Sequence, residues 1–515
     1  MIPVFINKPQ FEYDIHSLVK AFYPGEEVKV FCAPTREEEQ AYQKEDWKMQ
    51  EALRIRFEEN GMILEAIRDE ASRADDKMSS GAEDEADGDA AAASASMMQK
   101  AEYAPGTERA EVKNILKQLI YRGLSEHLQK ELPWGTLTGI RPTKIPMAML
   151  EERKPEEEIL DYMKQTYFIS DEKGQLSLEI AKREKELLSA LHYKDGYSLY
   201  IGIPFCPTTC LYCSFTSYPI CAWKNRVGEY LAALEKEMAY VAQAYKDKIL
   251  DTVYIGGGTP TTLEAEELEQ LLSAIEKYFD LSGVQEFTVE AGRADSITRE
   301  KLKVLKQHNI TRISVNPQTM KDETLKLIGR RHTVAQVEEA FGLAREEGFD
   351  NINMDIILGL PGETEEDVRH TVEEIKRLHP DSLTVHSLAI KRASKLNQWI
   401  EENGMETLHN TDATMEIASG AAADMGMQPY YLYRQKNMSG NFENVGYAEP
   451  GKYGIYNILI MEEKQTIVAL GAGSISKVVL PDGRIERSDN VKDVGLYIER
   501  IDEMIQRKEA LFAIE

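Results

Sequence analysis

From Tyr197 onward, short apolar runs alternate with segments whose apolar residues recur at helical spacing. Strands are expected at 198–203, 252–257, 286–291, 312–316, 351–357 and 382–387, and amphipathic helices at 226–245, 264–279, 298–308, 334–347 and 364–377. Strands separated by helices build right-handed crossovers and a parallel sheet. Six such repeats are too few for a closed eight-fold barrel. An open six-stranded barrel and a doubly wound sheet both fit, and both place ligands beyond the carboxyl ends of the strands.

The flanking regions have a different texture. Residues 1–185 suggest an N-terminal α+β module: a strand-like VFIN, a helical FEYDIHSLVKAFYP, a strand-like EEVKVFCA, and a helix over 110–129. A charged amphipathic helix over 176–191 leads into the central repeat, 186–400. The loop WGTLTGIRPTK, 134–144, reads as a small-residue turn, with an anion contact through Arg141 and Lys144 as the alternative. Residues 401–515 suggest a C-terminal α+β module, with a helix over 411–425, strands at 457–461 and within 465–479, and a final helix over 491–508.

Residues 74–101 carry seven acids between Asp75 and Asp89, then an Ala/Ser tract, and no aromatic residue. Such a segment buries too little apolar surface to offset its ordering entropy, so a solvated loop is expected, with an acidic docking tail as the alternative. Lys and Arg total 61 against 88 Asp and Glu, a net charge of −27. That balance repels phosphate backbones, and no basic run offsets it, so nucleic-acid binding is not expected. No apolar stretch is long enough to span a bilayer, and Met1-Ile2-Pro3-Val4-Phe5 running into Asn-Lys-Pro is not the pattern expected of a signal peptide. Five cysteines are too few for a secreted disulfide scaffold, and the chain is expected to be cytoplasmic.

Three of those cysteines, Cys206, Cys210 and Cys213, fall within eight residues just past the first strand of the repeat. A short loop there can wrap three thiolates round one inorganic centre at the ligand-binding mouth. A disulfide would leave one thiol over, and zinc would want a fourth ligand from a second pair that the sequence lacks. An iron–sulfur cluster with one iron left open is the favoured reading. Cys221 and Cys32 lie outside the pattern and are expected to be ordinary buried thiols. Gly256, Gly257 and Gly258 follow the second strand, where glycines either make a tight turn or let backbone approach a ligand. Glu290 ends the third strand, Gln318 follows the fourth, Arg330 lies beyond it and Asp355 sits in the fifth. Singly, each reads as well as a structural ion pair as a ligand contact. Together they offer acceptors for hydroxyls and a guanidinium for a carboxylate.

The cysteine spacing at the end of the first strand of a six-fold repeat resembles the radical S-adenosylmethionine (SAM) superfamily. YIGIPFCPTTCLYCSF, GGGTPT, TVEA, RRHT, NMDIILGLPGET and ALGAGS resemble its oxygen-independent coproporphyrinogen III dehydrogenases, and the module with GIRPTK is similar to the longer HemZ-type members. The resemblance implies a partial (β/α)6 barrel flanked by the two α+β modules. It implies that Cys206, Cys210 and Cys213 hold a [4Fe-4S] cluster. Tyr200, Tyr212, Gly257, Gly258, Thr259, Glu290, Gln318, Arg330, Asp355 and Ala389 would line the SAM site. In that family one electron from the cluster cleaves SAM to methionine and a 5′-deoxyadenosyl radical, inside a barrel that excludes water.

The implied reaction is oxidative decarboxylation of coproporphyrinogen III propionates to vinyl groups, giving protoporphyrinogen IX, with an electron donor such as flavodoxin or ferredoxin. Lys391, Arg392, Arg434 and Lys436 are candidates to meet substrate carboxylates, against the plainer reading of a solvated charged surface. Three positions depart from the well-studied dehydrogenases: Gly202 stands for a His, Phe215 for a fourth Cys, and Tyr456-Asn457 for a His-Asn pair. The aromatic at 215 resembles instead the haem-chaperone relatives, which implies an alternative role in binding haem and delivering it to acceptor proteins. A relative with a merely structural cluster is the third reading.

Overall fold

The computed structural model describes residues 1–42, 51–68, 95–139, 141–192, 194–391, 394–404, 407–435 and 442–515. Residues 74–94 of the acidic segment, together with Arg392 and Lys436, lie outside the described residues. The chain divides into two compact units, Met1–Leu178 and Glu179–Glu515.

The first unit is built on a five-stranded sheet. Its strands are β1 (Ile2–Ile6), β2 (Val28–Cys32), β3 (Glu51–Phe57), β4 (Gly61–Arg68) and β5 (Ala95–Glu102), in the order β2-β1-β3-β4-β5. Helices Glu12–Phe22 and Arg109–Leu128 cover one face with Ile15, Leu18, Leu116, Ile120 and Leu124. β5 corrects the expectation that order is absent through residue 101. Its backbone pairs antiparallel with β4, and Met97 and Ala101 pack on the core. The partner strand lies about thirty residues upstream, a long-range contact that local composition does not encode. Cys32 is exposed, not buried, because it ends the edge strand β2.

In the second unit, β6 (Gly196–Ile203) is followed by the two-residue strands β7 (Phe205–Cys206) and β8 (Tyr218–Pro219). Then come β9 (Ile249–Gly257), β10 (Glu286–Gly292), β11 (Arg312–Val315), β12 (Ile352–Leu358) and β13 (Ser382–Ser387). β6 and β9 to β13 pair in parallel, each with the next, as six crossover repeats require. Helices Val227–Ala244, Ala265–Tyr278, Arg299–Gln307, Val334–Glu346 and Glu365–Leu378 form the crossovers. Several start where the sequence offers a cap: Thr298 accepts from the Lys301 N–H, and Thr333 and Thr364 form capping boxes with Gln336 and Asp367.

The C-terminal strands extend the same sheet. β14 (Gln428–Tyr433) and β15 (Asn444–Ala448) add antiparallel beyond β13. β16 (Thr466–Leu470) pairs in parallel with β6, and β17 (Ile475–Val479) and β18 (Ile485–Asp489) follow antiparallel. Residues 457–461, expected as a strand, lie in helix Ile455–Glu462. A five-residue apolar run is ambiguous by period. The deciding partner is distant: the Glu286 carboxylate accepts from the Ile455 N–H at 2.5 Å and the Tyr456 N–H at 3.4 Å, a negative charge at the helix start. The final helix is broken at Arg500 into Val494–Glu499 and Ile501–Phe512. No described helix is long and apolar enough to cross a membrane.

Candidate functional site

The carboxyl ends of β6, β9 and β10 meet beneath the cysteine loop. Gly258 N–H donates to the Ile203 carbonyl at 2.8 Å and Thr259 N–H to the Phe205 carbonyl at 2.6 Å, so the glycine turn is zipped along the chain that leads into Cys206. Gly257 sits at φ +108, where a side chain would be strained. The Thr259 hydroxyl donates to Cys206 Sγ at 3.5 Å. Burial pushes the Cys206 thiol up to about 11, with the Thr259 hydrogen bond opposing. Burial also raises Cys213. Cys210 lies between two cations: Arg293 Nη1 stands 4.0 Å from its sulfur, and Arg330 reaches the adjoining Tyr212 hydroxyl at 3.3 Å. Among the described residues no three His, Cys, Asp or Glu side chains close round a single ion. Thiols that each take a different iron of a cubane stand further apart than the ligands of one zinc.

The polar residues arrive from neighbouring strands. Tyr254 OH donates to Glu290 Oε1 at 2.5 Å. Rings of Tyr200, Tyr254 and Tyr456 stack beside this pair, Tyr254 and Tyr456 with centroids 4.4 Å apart. Asp355 accepts from Asn353 Nδ2 at 2.7 Å and faces His386 Nε2 at 3.7 Å. Burial pushes Asp355 up, but His386 and Asn353 outweigh it and hold the carboxyl below its ordinary value. Gln318 occupies the left-handed region, φ +71, locked by a two-way backbone bridge to Asp355 and Ile357. Ala389 is half-buried just past β13.

Three buried polar atoms here lack a hydrogen-bond partner: Gln318 Oε1, Arg330 Nε and Asn316 Oδ1. Unpaired buried polar atoms are costly and call for a ligand or water. An amide oxygen and a guanidinium N–H suit a hydroxyl donor and a carboxylate, so the donor set fits a nucleoside–amino-acid ligand beside a thiolate-bound cluster.

Arg293 was not singled out in the sequence. Its Nη1 donates to Thr208 Oγ1 at 2.6 Å and Thr208 O at 3.1 Å, and it pairs with Asp295 at 2.6 Å, tying the chain between Cys206 and Cys210 to the end of β10. A charged residue just past a buried strand, as with Glu290, was the available signal. Tyr254, Asn353 and His386 were also missed, since a polar residue inside a strand gains meaning only when the strands curl together. Two other expectations are corrected. Cys221 is exposed in a short turn with no buried residue, Ile220–Ala222. Arg434 is buried beside Glu443, not solvated, and burial pushes it down to about 10. Lys391 is half-buried.

A model of the radical SAM superfamily matches residues 200–375. The oxygen-independent coproporphyrinogen-III oxidase-like protein HemZ of Bacillus subtilis (strain 168) is 44% identical over 411 residues, covering 78% of this chain and 82% of HemZ. The chain belongs to that HemZ-type family of radical SAM proteins. The heme chaperone HemW of the same organism is 40% identical over 195 residues, 38% of this chain and 51% of HemW. Coproporphyrinogen III oxidase (HemN) from Escherichia coli, a solved structure, shares 22% identity over 62% of this chain and 72% of its own, with a TM-score of 0.49. As in the rest of the radical SAM superfamily, the cofactors are a [4Fe-4S] cluster and SAM.

Burial pushes Glu290 up to about 7, with Asp355 adding to the rise and Tyr254 and the Gly257 N–H opposing it. The folded value exceeds that of an unfolded Glu, about 4.3. The native state therefore holds the extra proton, and this stability is full below pH ~4 and lost as pH rises through about 7. In denaturant melts of the cofactor-free protein, Glu290→Gln should flatten the decline between pH 5 and 8 by at most about 3 kcal/mol. Parallel curves for the two proteins would refute it.

Proposed function

We propose that Cys206, Cys210 and Cys213 hold the cluster, and that Tyr200, Tyr212, Gly257, Gly258, Thr259, Glu290, Gln318, Arg330, Asp355 and Ala389 line the SAM site of an oxidoreductase acting on coproporphyrinogen III. When bound, cluster and SAM supply a primary carbon radical that removes hydrogen from an unactivated carbon. Hydrogen loss beside a propionate carboxylate, then loss of CO2 and one electron to an external acceptor, leaves a vinyl group.

The observation that carries this reading is the convergence of orphaned Gln318 Oε1 and Arg330 Nε on the strand ends that also bear the thiols. Arg330 would anchor a carboxylate, and Gln318, Glu290 and Asp355 would hold hydroxyls. The stacked Tyr200, Tyr254 and Tyr456 rings would wall a dry interior that protects a radical from water. Similarity to HemZ supports the substrate class.

The second reading is haem delivery. It is favoured by Phe215, which is 76% exposed two residues beyond Cys213 and offers an apolar ring to a flat macrocycle, and by the likeness to HemW. Anaerobic incubation of the reconstituted protein with coproporphyrinogen III, SAM and dithionite should yield 5′-deoxyadenosine, CO2 and protoporphyrinogen IX in step. Stoichiometric haem uptake without vinyl product would instead establish the delivery role and reject the oxidoreductase.

A further inference from the structure

Two charges stand where apolar residues belong. Helix Val227–Ala244 buries Tyr230, Leu231, Leu234, Met238 and Val241 along one face, with Glu237 among them. Helix Ile501–Phe512 buries Ile501, Met504 and Leu511, with Lys508 among them. The two meet: Lys508 Nζ lies 2.7 Å from Glu237 Oε1, and neither side chain is exposed. At that depth the attraction is offset by the cost of taking both ions out of water, so apolar side chains of similar volume would join the helices as well. Apolar side chains could not hold backbone. Glu237 Oε2 accepts from the Gly471 N–H at 2.9 Å and the Tyr497 hydroxyl at 2.6 Å, and Oε1 accepts from Asn490 Nδ2 at 2.7 Å. Asn490 Nδ2 also donates to the Gly471 carbonyl at 2.9 Å, and Lys508 donates to Asn490 Oδ1 at 2.9 Å. Gly471 is therefore held at both its N–H and its carbonyl.

The loop so held lies against the cysteine segment. Gly471 sits at φ +94, and an added Cβ would lie 2.4 Å from the Gly202 carbonyl oxygen, at the strand end that leads into Cys206. The Ala472 N–H donates to the Tyr230 hydroxyl at 3.1 Å, which donates in turn to that Gly202 carbonyl at 2.6 Å. Gly473, at φ +74, faces Thr216 beyond Cys213, and a Cβ there would lie 3.1 Å from the Thr216 hydroxyl oxygen. The Tyr218 hydroxyl donates to the Lys492 carbonyl at 3.3 Å, just past Asn490. The segment is thus met at Gly202 on one side of its three thiols and at Thr216 and Tyr218 on the other.

We propose that Glu237 and Lys508 are positioning residues for the cysteine loop. The buried pair sets where Gly471–Gly473 stands, and that loop fixes the chain on either side of Cys206, Cys210 and Cys213. The consequence for iron rests on the cluster assignment above.

The test compares two double variants of the full-length protein. Glu237→Met with Lys508→Met removes the charges and every acceptor. Glu237→Gln with Lys508→Met removes the charges but leaves an amide oxygen for the Gly471 N–H and the Tyr497 hydroxyl. Amide hydrogen exchange of the cofactor-free proteins should run about 10- to 100-fold faster over 202–218 and 469–474 in the first variant, while β11 and β12 keep the rate of the unaltered protein. After reconstitution, the first variant should hold less iron, and the electron paramagnetic resonance signal of its reduced cluster should broaden and shift. The glutamine variant should recover both readouts. A pair that merely stabilised the fold would speed exchange evenly through the unit and leave the signal of the loaded fraction unchanged, and that result overturns the proposal. So does unaltered exchange over 202–218. Should the first variant not fold, Asn490→Ser, which keeps the ion pair and frees the Gly471 carbonyl, is judged by the same two outcomes. Failure of the unaltered protein to take up iron would instead sink the cluster assignment, and exchange in the cofactor-free protein would still decide the positioning role.

Discussion

Replacing any one of Cys206, Cys210 and Cys213 with alanine is expected to abolish SAM cleavage and to leave the reconstituted protein with little iron or sulfide. Each thiol would take a different iron, so none can substitute for another, and the loss should exceed the about 10- to 100-fold that follows removal of an outer hydrogen-bond partner. Cys221→Ala and Cys32→Ala are the matched controls. Both cysteines are exposed, and both variants should retain full iron. The measurements are iron and sulfide per chain, the visible absorbance of the cluster, and 5′-deoxyadenosine formed with dithionite. Full iron in any of the three cluster variants would remove the basis of the functional reading. The three positions are also held unequally. Cys206 is tied through Thr259 to the glycine turn, and Cys210 sits between Arg293 and the Arg330–Tyr212 pair, whereas the hydrogen-bond partners of Cys213, the Phe215 backbone and Ser217 Oγ at 4.0 Å, lie within its own loop. Cys213→Ser is therefore expected to keep more residual iron than Cys206→Ser.

What could be read from the chain alone follows the range of the forces involved. The six strands and five crossover helices were legible because period is local: the helices expected at 298–308, 334–347 and 364–377 are found at Arg299–Gln307, Val334–Glu346 and Glu365–Leu378. The cysteine loop and glycine turn were legible because their chemistry lies in consecutive residues. Distant partners were not. Helix Ile455–Glu462 owes its start to Glu286, about 170 positions upstream, and β5 exists because β4 offers it an edge. Tyr254 reads as one more apolar residue of a strand until Glu290 stands 2.5 Å from its hydroxyl. The burial of Arg434 and the exposure of Cys221 likewise depend on what the fold brings over them.

Gly258→Ala is expected to damage the site out of proportion to one added methyl. A Cβ there would lie 2.5 Å from the Phe205 carbonyl oxygen, 2.9 Å from its carbon and 3.0 Å from the Ile203 oxygen, all backbone atoms of the segment entering Cys206. No side chain can rotate away, so the two chains must part. Overpacking of this kind costs about 1–3 kcal/mol. Parting them breaks the Gly258–Ile203 and Thr259–Phe205 hydrogen bonds and draws the Thr259 hydroxyl off Cys206. The variant should load less iron and bind SAM at least about tenfold more weakly, since a shift of about 1 Å in a positioning element can cost a hundredfold. Gly342→Ala is the counterpart: it lies inside helix Val334–Glu346, and nothing stands within 4 Å of its added methyl. That change should stabilise the protein by about 0.5–1 kcal/mol and leave iron and SAM binding alone. Thermal melts, iron content and SAM titration on the pair separate a local clash at the glycine turn from a general cost of adding a methyl. If Gly258→Ala kept full iron and SAM affinity, the close backbone approach would not be what shapes the site.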